Sequence, residues 1–220
     1  SRAWALPAEA PLTPKALDVP RAVRATIPLP PPAPLYRDNL SGIAISRDGR
    51  RLVYVSQQGN STALFARDLD GSVVSKLAGS DGGSMPFFSP TGEWVGFLAA
   101  GELKRLPATG GTAVSIAAVG DDLRGPVWAD DDWVWFSIGA SGGLSRVKAT
   151  GGSPEVVTTP DRKGGEKTHR FPEVLPGGRA VVFTSGKASL VSYSDARIMV
   201  RDLKSGEQHT LVEGGVNARY

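Results

Sequence analysis

A motif of about fifteen residues returns along this chain at a nearly constant interval, and that regularity restricts the fold more than any single residue does. The segments "GIAISRDGRRLVYVS" (42 to 56), "MPFFSPTGEWVGFLA" (85 to 99) and "FPEVLPGGRAVVFTS" (171 to 185) superimpose on their turn glycines, Gly49, Gly92 and Gly178. The first two anchors stand 43 residues apart and the last two 86, twice that interval. The vacant place is filled by "GPVWADDDWVWFSI" (125 to 138), in which Ala129 follows Ser89 by 40 residues and aspartates replace the glycine in a turn one residue shorter. A repeat of this length is one supersecondary unit that buries its apolar faces only by stacking on its neighbours.

Each copy is followed by a second hairpin: "LFARDLDGSVVSKL" (64 to 77), "LKRLPATGGTAVSI" (103 to 116), "LSRVKATGGSPEVV" (144 to 157) and "IMVRDLKSGEQHTL" (198 to 211). Their turns carry DG, GG or SG, where a positive φ must be tolerated. From residue 40 onward the short apolar, β-branched and aromatic runs show no sustained 3.6-residue period. The chain therefore reads as all-β, with four strands per unit, which is one blade of a β-propeller. About four blades are expected, as a partial ring or a half-ring that pairs with a second copy. Their expected limits are about 40–79, 80–119, 120–163 and 164–213, within a propeller domain 35–220 whose residues 214–220 begin a further blade. Ile43, Ile45, Phe88, Val127 and Val174 on the inner strands, and Leu52, Tyr54, Trp94, Phe97, Trp135 and Phe183 on the second, are expected to pack between blades.

Residues 1–34 hold nine of the 17 prolines and read as an extended linker, with one candidate edge strand at 22–29. The absence of cysteine leaves the compartment open. No apolar run reaches the roughly 18 residues of a membrane span, so no membrane insertion by this segment is expected. A first residue of serine with no leader after it suggests a piece of something longer. The net charge of +3 is scattered among 22 acids rather than gathered on a face, which argues against nucleic acid as a partner.

At "SRDGRRLVY", "SPTGEWVGF" and "LPGGRAVVF" the chain resembles the TolB-type propeller repeat, over residues 36 to 220. More narrowly, "VRATIPLP", "FFSPTGEWVGF", "LKRLPATGG", "GGLSRVKATGGSPEVVTT" and "HRFPEVLPGGRAVVFT" resemble the carboxy-terminal propeller of membrane-anchored bacterial serine/threonine kinases. That resemblance implies an extracytoplasmic (periplasmic) sensor domain of a longer membrane-anchored protein, without kinase activity in these residues. It implies a protein partner or small ligand and no required cofactor, while the exposed edges of an incomplete ring would allow homo-oligomers by strand addition.

The loop before each inner strand is expected at the mouth of the channel. This places Asn39, Asp81, Ser84, Asp122, Arg124, His169, Arg170 and Asn217 as ligand contacts. An alternative is a metal-dependent hydrolase of the esterase, lactonase or phosphotriesterase type, with a divalent ion held by Asp38, Asp81, Asp121, Asp122, His169 and Glu173. That alternative rests on analogy between propeller folds.

Other motifs are read as structural. "GASGG" (139 to 143) places Ser141 in a G-x-S-x-G pattern, but strand residues follow where a nucleophile elbow needs a helix. "DLDG" (68 to 71) lacks the later glutamate of a calcium loop. "DDD" (130 to 132) is a turn, and His209 a surface residue. Trp128 and Trp135 are expected in the core, whereas Trp133 faces the opposite way by alternation, open to either a core or a ligand-stacking role.

Overall fold

The computed structural model describes residues 26–36, 42–187 and 195–219. Its sixteen strands form four four-stranded antiparallel sheets, each wound in chain order from the inside outward. Blade 1 comprises β1 (Ile43–Ile45), β2 (Arg51–Gln58), β3 (Ser61–Asp68) and β4 (Val74–Lys76). Blade 2 comprises β5 (Ser84–Phe88), β6 (Trp94–Ala99), β7 (Glu102–Pro107) and β8 (Val114–Ala118). Blade 3 comprises β9 (Leu123–Trp128), β10 (Trp133–Ile138), β11 (Leu144–Lys148) and β12 (Glu155–Val156). Blade 4 comprises β13 (Glu166–Val174), β14 (Ala180–Lys187), β15 (Arg197–Asp202) and β16 (Gln208–Glu213). The architecture is that of propeller blades, as the repeat predicts.

The turn between the first two strands of each blade is the same object four times. Gly49, Gly92 and Gly178 donate their N–H groups to the carbonyls of Ser46, Ser89 and Leu175 at 2.8 to 3.0 Å, and all three have φ between 65° and 75°. In blade 3 Asp132 takes that place, with φ 61° and its N–H on the Ala129 carbonyl at 3.1 Å. Aspartate is among the few side chains that tolerate left-handed backbone, which is why the copy without glycine keeps its turn.

Alternation along the second strand covers both faces of each sheet. In blade 1, Val53 and Val55 join Leu64, Val95, Phe97 and Leu106 between blades 1 and 2. In blade 3, Val134 and Phe136 face blade 2 beside Trp128, while Trp135 faces blade 4 beside Val181 and Phe183. Trp128 and Trp135 are core residues. Trp133 lies at the rim of the blade 3–4 cluster under two cations, with Arg146 Cζ 4.2 Å and Lys148 Nζ 4.3 Å from its ring centre.

The remaining face of blade 1 is covered by the proline-rich segment. Leu52, Tyr54 and Phe65 pack with Ala33, against which Ile27, Leu29 and Leu35 are partly buried. The Tyr54 hydroxyl donates to the Ala33 carbonyl at 2.9 Å, and Arg67 Nη1 donates to Pro28 O at 2.5 Å. Of the candidate edge strand at 22–29, residues 22–25 lie outside the described residues and residues 26–29 belong to no sheet. They serve as an apolar cover instead.

A second repeated feature lies at the start of the inner strands. Met85, Gly125 and Phe171 have φ of 50°, 54° and 52°, each is followed by proline, and each sits at a register shift against the neighbouring strand. Asn217, with φ 56°, repeats this conformation 46 residues after Phe171. The segment after β16 thus adopts the backbone that starts an inner strand, although no strand is formed there. Left-handed backbone costs an ordinary residue on the order of 1 kcal/mol or more, and bulges of this kind re-aim the adjoining side chain.

Candidate functional site

The inner strands of all four blades line a cavity of about 710 Å³. Its apolar wall includes Ile43, Ile45, Phe87, Phe88 and Phe171. Ile43 and Ile45 were expected between blades; they are instead 46% and 54% exposed, because the three-residue strand β1 turns them toward the channel. The charged lining consists of Arg47, Arg124, Arg170, Arg219 and Glu173.

The bulges explain how the arginines arrive there. Arg124 and Arg170 each precede a left-handed residue, Gly125 and Phe171. A Cβ added to Gly125 would lie 2.9 Å from Phe171 Cα, so the two strand starts touch backbone to backbone, and the arginine before each lines the same cavity. Arg124 pairs with Asp122, while Arg170 donates from Nε to Thr168 Oγ1 at 3.2 Å and from Nη2 to Gly139 O at 3.5 Å. Arg47, in the blade 1 turn, reaches Asp130 of the blade 3 turn at 2.6 Å. Arg219, beyond the last strand, reaches Glu173 at 2.6 Å.

Of the residues expected as ligand contacts, Arg124, Arg170 and Asn217 line this cavity. Asp122 holds Arg124 from outside it. Ser84 turns its hydroxyl back onto the Leu98 carbonyl at 3.3 Å, and Asp81 is exposed and paired with Lys76 at 2.6 Å. Asn39 and Asp38 lie outside the described residues. Sequence reasoning missed Arg47 and Arg219, since a charge in a turn or after the last strand is ordinary and carries no distinguishing signal.

His169 is not at the channel mouth. It is fully buried between blades 3 and 4, tilted against Phe183 with ring centres 4.6 Å apart. Strand β13 begins at Glu166, so the residues read as a loop are the middle of a strand. The signal was present: Gly164 and Gly165 break the chain, and "EKTHRF" after them contains no breaker.

The Thr158 hydroxyl accepts the Leu144 N–H at 2.8 Å and lies 2.7 Å from His169 Nδ1. His169 Nε2 lies 3.0 Å from Glu166 Oε2, which also accepts the Asp161 N–H at 2.7 Å. Oε1 accepts the Ser185 hydroxyl at 2.8 Å and Arg197 Nη2 at 3.3 Å. These partners fix a neutral imidazole that accepts at Nδ1 from Thr158 and donates from Nε2 to Glu166. Burial holds the His169 pKa below its ordinary value against the pull of Glu166. Burial pushes the Glu166 carboxyl up, but the hydrogen bonds from Asp161, His169 and Ser185 outweigh it and leave the pKa lowered. The hydroxyl, imidazole and carboxylate stand in the order of a nucleophilic triad. With Thr158 3% exposed, no substrate reaches the hydroxyl, and the cluster is an inter-blade support.

The expected metal ligands are not brought together. His169 is buried in that cluster, Glu173 is paired with Arg219, Asp122 with Arg124 and Asp81 with Lys76, while Asp121 is exposed in a turn. Among the described residues no group of three His, Cys, Asp or Glu side chains is placed to hold a metal ion.

Fold and site together define a four-bladed β-propeller unit with a guanidinium-rimmed, apolar-walled central cavity. No protein-family model matches the sequence, and no curated protein is similar to it. Among solved structures, the chain is similar to an oligogalacturonate lyase from Vibrio parahaemolyticus, at 16% identity and a TM-score of 0.59 over 81% of this chain and 54% of that one. It is also similar to a puromycin-hydrolyzing peptidase from Mycobacterium tuberculosis, at 13% identity and a TM-score of 0.55 over 78% of this chain and 28% of that one. A TolB-designated protein from Agrobacterium tumefaciens aligns at 20% identity over 80% of this chain and 83% of that one, with a TM-score of 0.43. The chain thus spans about half of the lyase and under a third of the peptidase, and the likeness to these two shows the shared fold alone.

Proposed function

We propose that this propeller unit is a non-catalytic binding domain whose ligand, a small molecule or the end of a protein partner, enters the central cavity. The observation that carries this reading is the lining itself: side chains from four blades and the chain end converge on one concave space whose surface is about half apolar and half polar. Such a lining is built to hold something. Among the described residues no histidine lines it, since His169 of the inner strands is turned into the blade 3–4 interface, and its one carboxylate, Glu173, is paired with Arg219.

The sequence phrases shared with receptor-kinase propellers support an extracytoplasmic sensor as the setting. No helix among the described residues is long and apolar enough to cross a membrane. The test is a thermal-shift screen of a metabolite and peptide library on the wild type and on Ile45→Arg, which puts a charge into the cavity from an already exposed position. Stabilising compounds that lose their effect in Ile45→Arg bear the reading out. Chelator-sensitive turnover of ester or phosphotriester substrates would sink it and restore the hydrolase. Pairing of two units edge to edge is read by light scattering, where a strict 23.1 kDa monomer removes it.

A further inference from the structure

We infer that the cavity selects an amphipathic organic oxyanion, a carboxylate or phosphate ester carried on an apolar body. This rests on the reading of the cavity as a ligand site and narrows the class of ligand. The lining carries four arginines and one glutamate. Counting the acids that hold those arginines from outside, Asp122 and Asp130, one positive charge is still in excess.

The donors matter more than the net charge. Arg47, Arg124 and Arg219 each commit a single guanidinium nitrogen to their carboxylates. A guanidinium has five N–H donors in a planar fork suited to two oxygens at once, so each retains donors for another acceptor. Arg124 Nε is buried and has no hydrogen-bond partner among the described residues, a cost the protein bears on the cavity wall. The starts of β9 and β13 touch at Gly125 and Phe171, and Arg124 and Arg170, one residue before each, both line the cavity, where charge-assisted donors from two blades are available to one anion.

The walls exclude a bare inorganic ion. Ile43 and Ile45 are about half exposed on the floor, with Phe87, Phe88 and Phe171 around them. An inorganic phosphate would leave that surface wet, and a neutral hydrocarbon would leave the guanidinium groups against an apolar ligand; an anion on an apolar body satisfies both.

Calorimetric titration of the intact chain with five probes tests this: 4-phenylbutyrate, 4-phenylbutyl phosphate, 4-phenylbutanol, 4-phenylbutylamine and inorganic phosphate. The two organic anions are expected to bind at least about tenfold more tightly than the alcohol, the gain of one charge-assisted contact, with the amine and inorganic phosphate weakest. Arg124→Gln and Arg170→Gln should each remove about tenfold from the anions and leave the alcohol unchanged, and a preference of one organic anion over the other distinguishes carboxylate from phosphate. Equal affinity for alcohol and anions, or an amine that binds as well, overturns the oxyanion class while the cavity stands as a site. Binding indifferent to Ile45→Arg, or no binding by any probe at millimolar concentration, overturns the cavity reading itself.

Discussion

Replacing Glu166 by glutamine tests whether the polar cluster between blades 3 and 4 holds the protein together. The carboxylate is 5% exposed and accepts four donors, two on each oxygen. Glutamine keeps one accepting oxygen and presents an amide NH₂ where the other stood. If the oxygen stays with Asp161 and His169, the new amide faces the Arg197 guanidinium, donor against donor, and strips that half-buried cation of its carboxylate. Breaking a buried pair from one side costs about 3 to 5 kcal/mol, and for a chain of this length each kcal/mol lowers Tm by about 2 to 4 °C. A fall of roughly 6 to 20 °C at pH 7.5 is expected, with urea denaturation giving the free energy directly. The pH dependence supplies an independent check. Because the folded pKa of Glu166 is lowered, its stabilisation is complete above the unfolded value of 4.5 and is lost as pH falls through the folded value. The gap between wild type and Glu166→Gln should therefore close on acidification below pH 4.5. A difference under about 1 kcal/mol at pH 7.5, or one that stays constant down to pH 3.5, would refute the reasoning.

Three further outcomes follow from the packing. His169 has a lowered pKa in the folded state, so stability should fall as pH drops below 6.5, and His169→Gln should flatten that part of the pH profile measured by thermal melts. Gly96→Ala should destabilise by about 1 to 3 kcal/mol in urea, because the added methyl would stand 2.1 Å from Phe87 Cζ and that ring is held against Trp128; Phe87→Leu in the same chain should recover part of the loss. Tyr54→Phe removes the buried bond to Ala33 and should cost about 1 kcal/mol, with faster proteolysis between residues 26 and 36 as its distinguishing sign.

The blades were legible because each turn states its own conformation. Glycine at 49, 92 and 178, and aspartate at 132, answer one left-handed requirement, and the alternation after each turn names both faces of the sheet. The site was harder to read. Arg124, Arg170 and Asn217 were found from their place in the repeat, because the repeat fixes where a strand starts. His169 was misplaced for the same reason: the loop before β13 ends at Gly165, five residues earlier than in a copy-by-copy reading, and the strand's alternation carries the imidazole inward. Ile43 and Ile45 look like core to any hydrophobicity argument. Only the shortness of β1 and the channel it borders expose them, and those are properties of the assembled blades.

The left-handed start of the inner strands carries an evolutionary consequence. Its geometry is held by backbone and, in three of four instances, by a following proline, so it makes no demand on the side chain one position earlier. That position holds Ser84, Arg124, Arg170 and Val216, a hydroxyl, two cations and a hydrocarbon. Each unit of 40 to 46 residues is in this sense a cassette with one variable letter, which in blades 3 and 4 lines the central cavity. A lineage that duplicates, deletes or shuffles blades rewrites what the centre recognises while the contacts that weld blade to blade stay as they were.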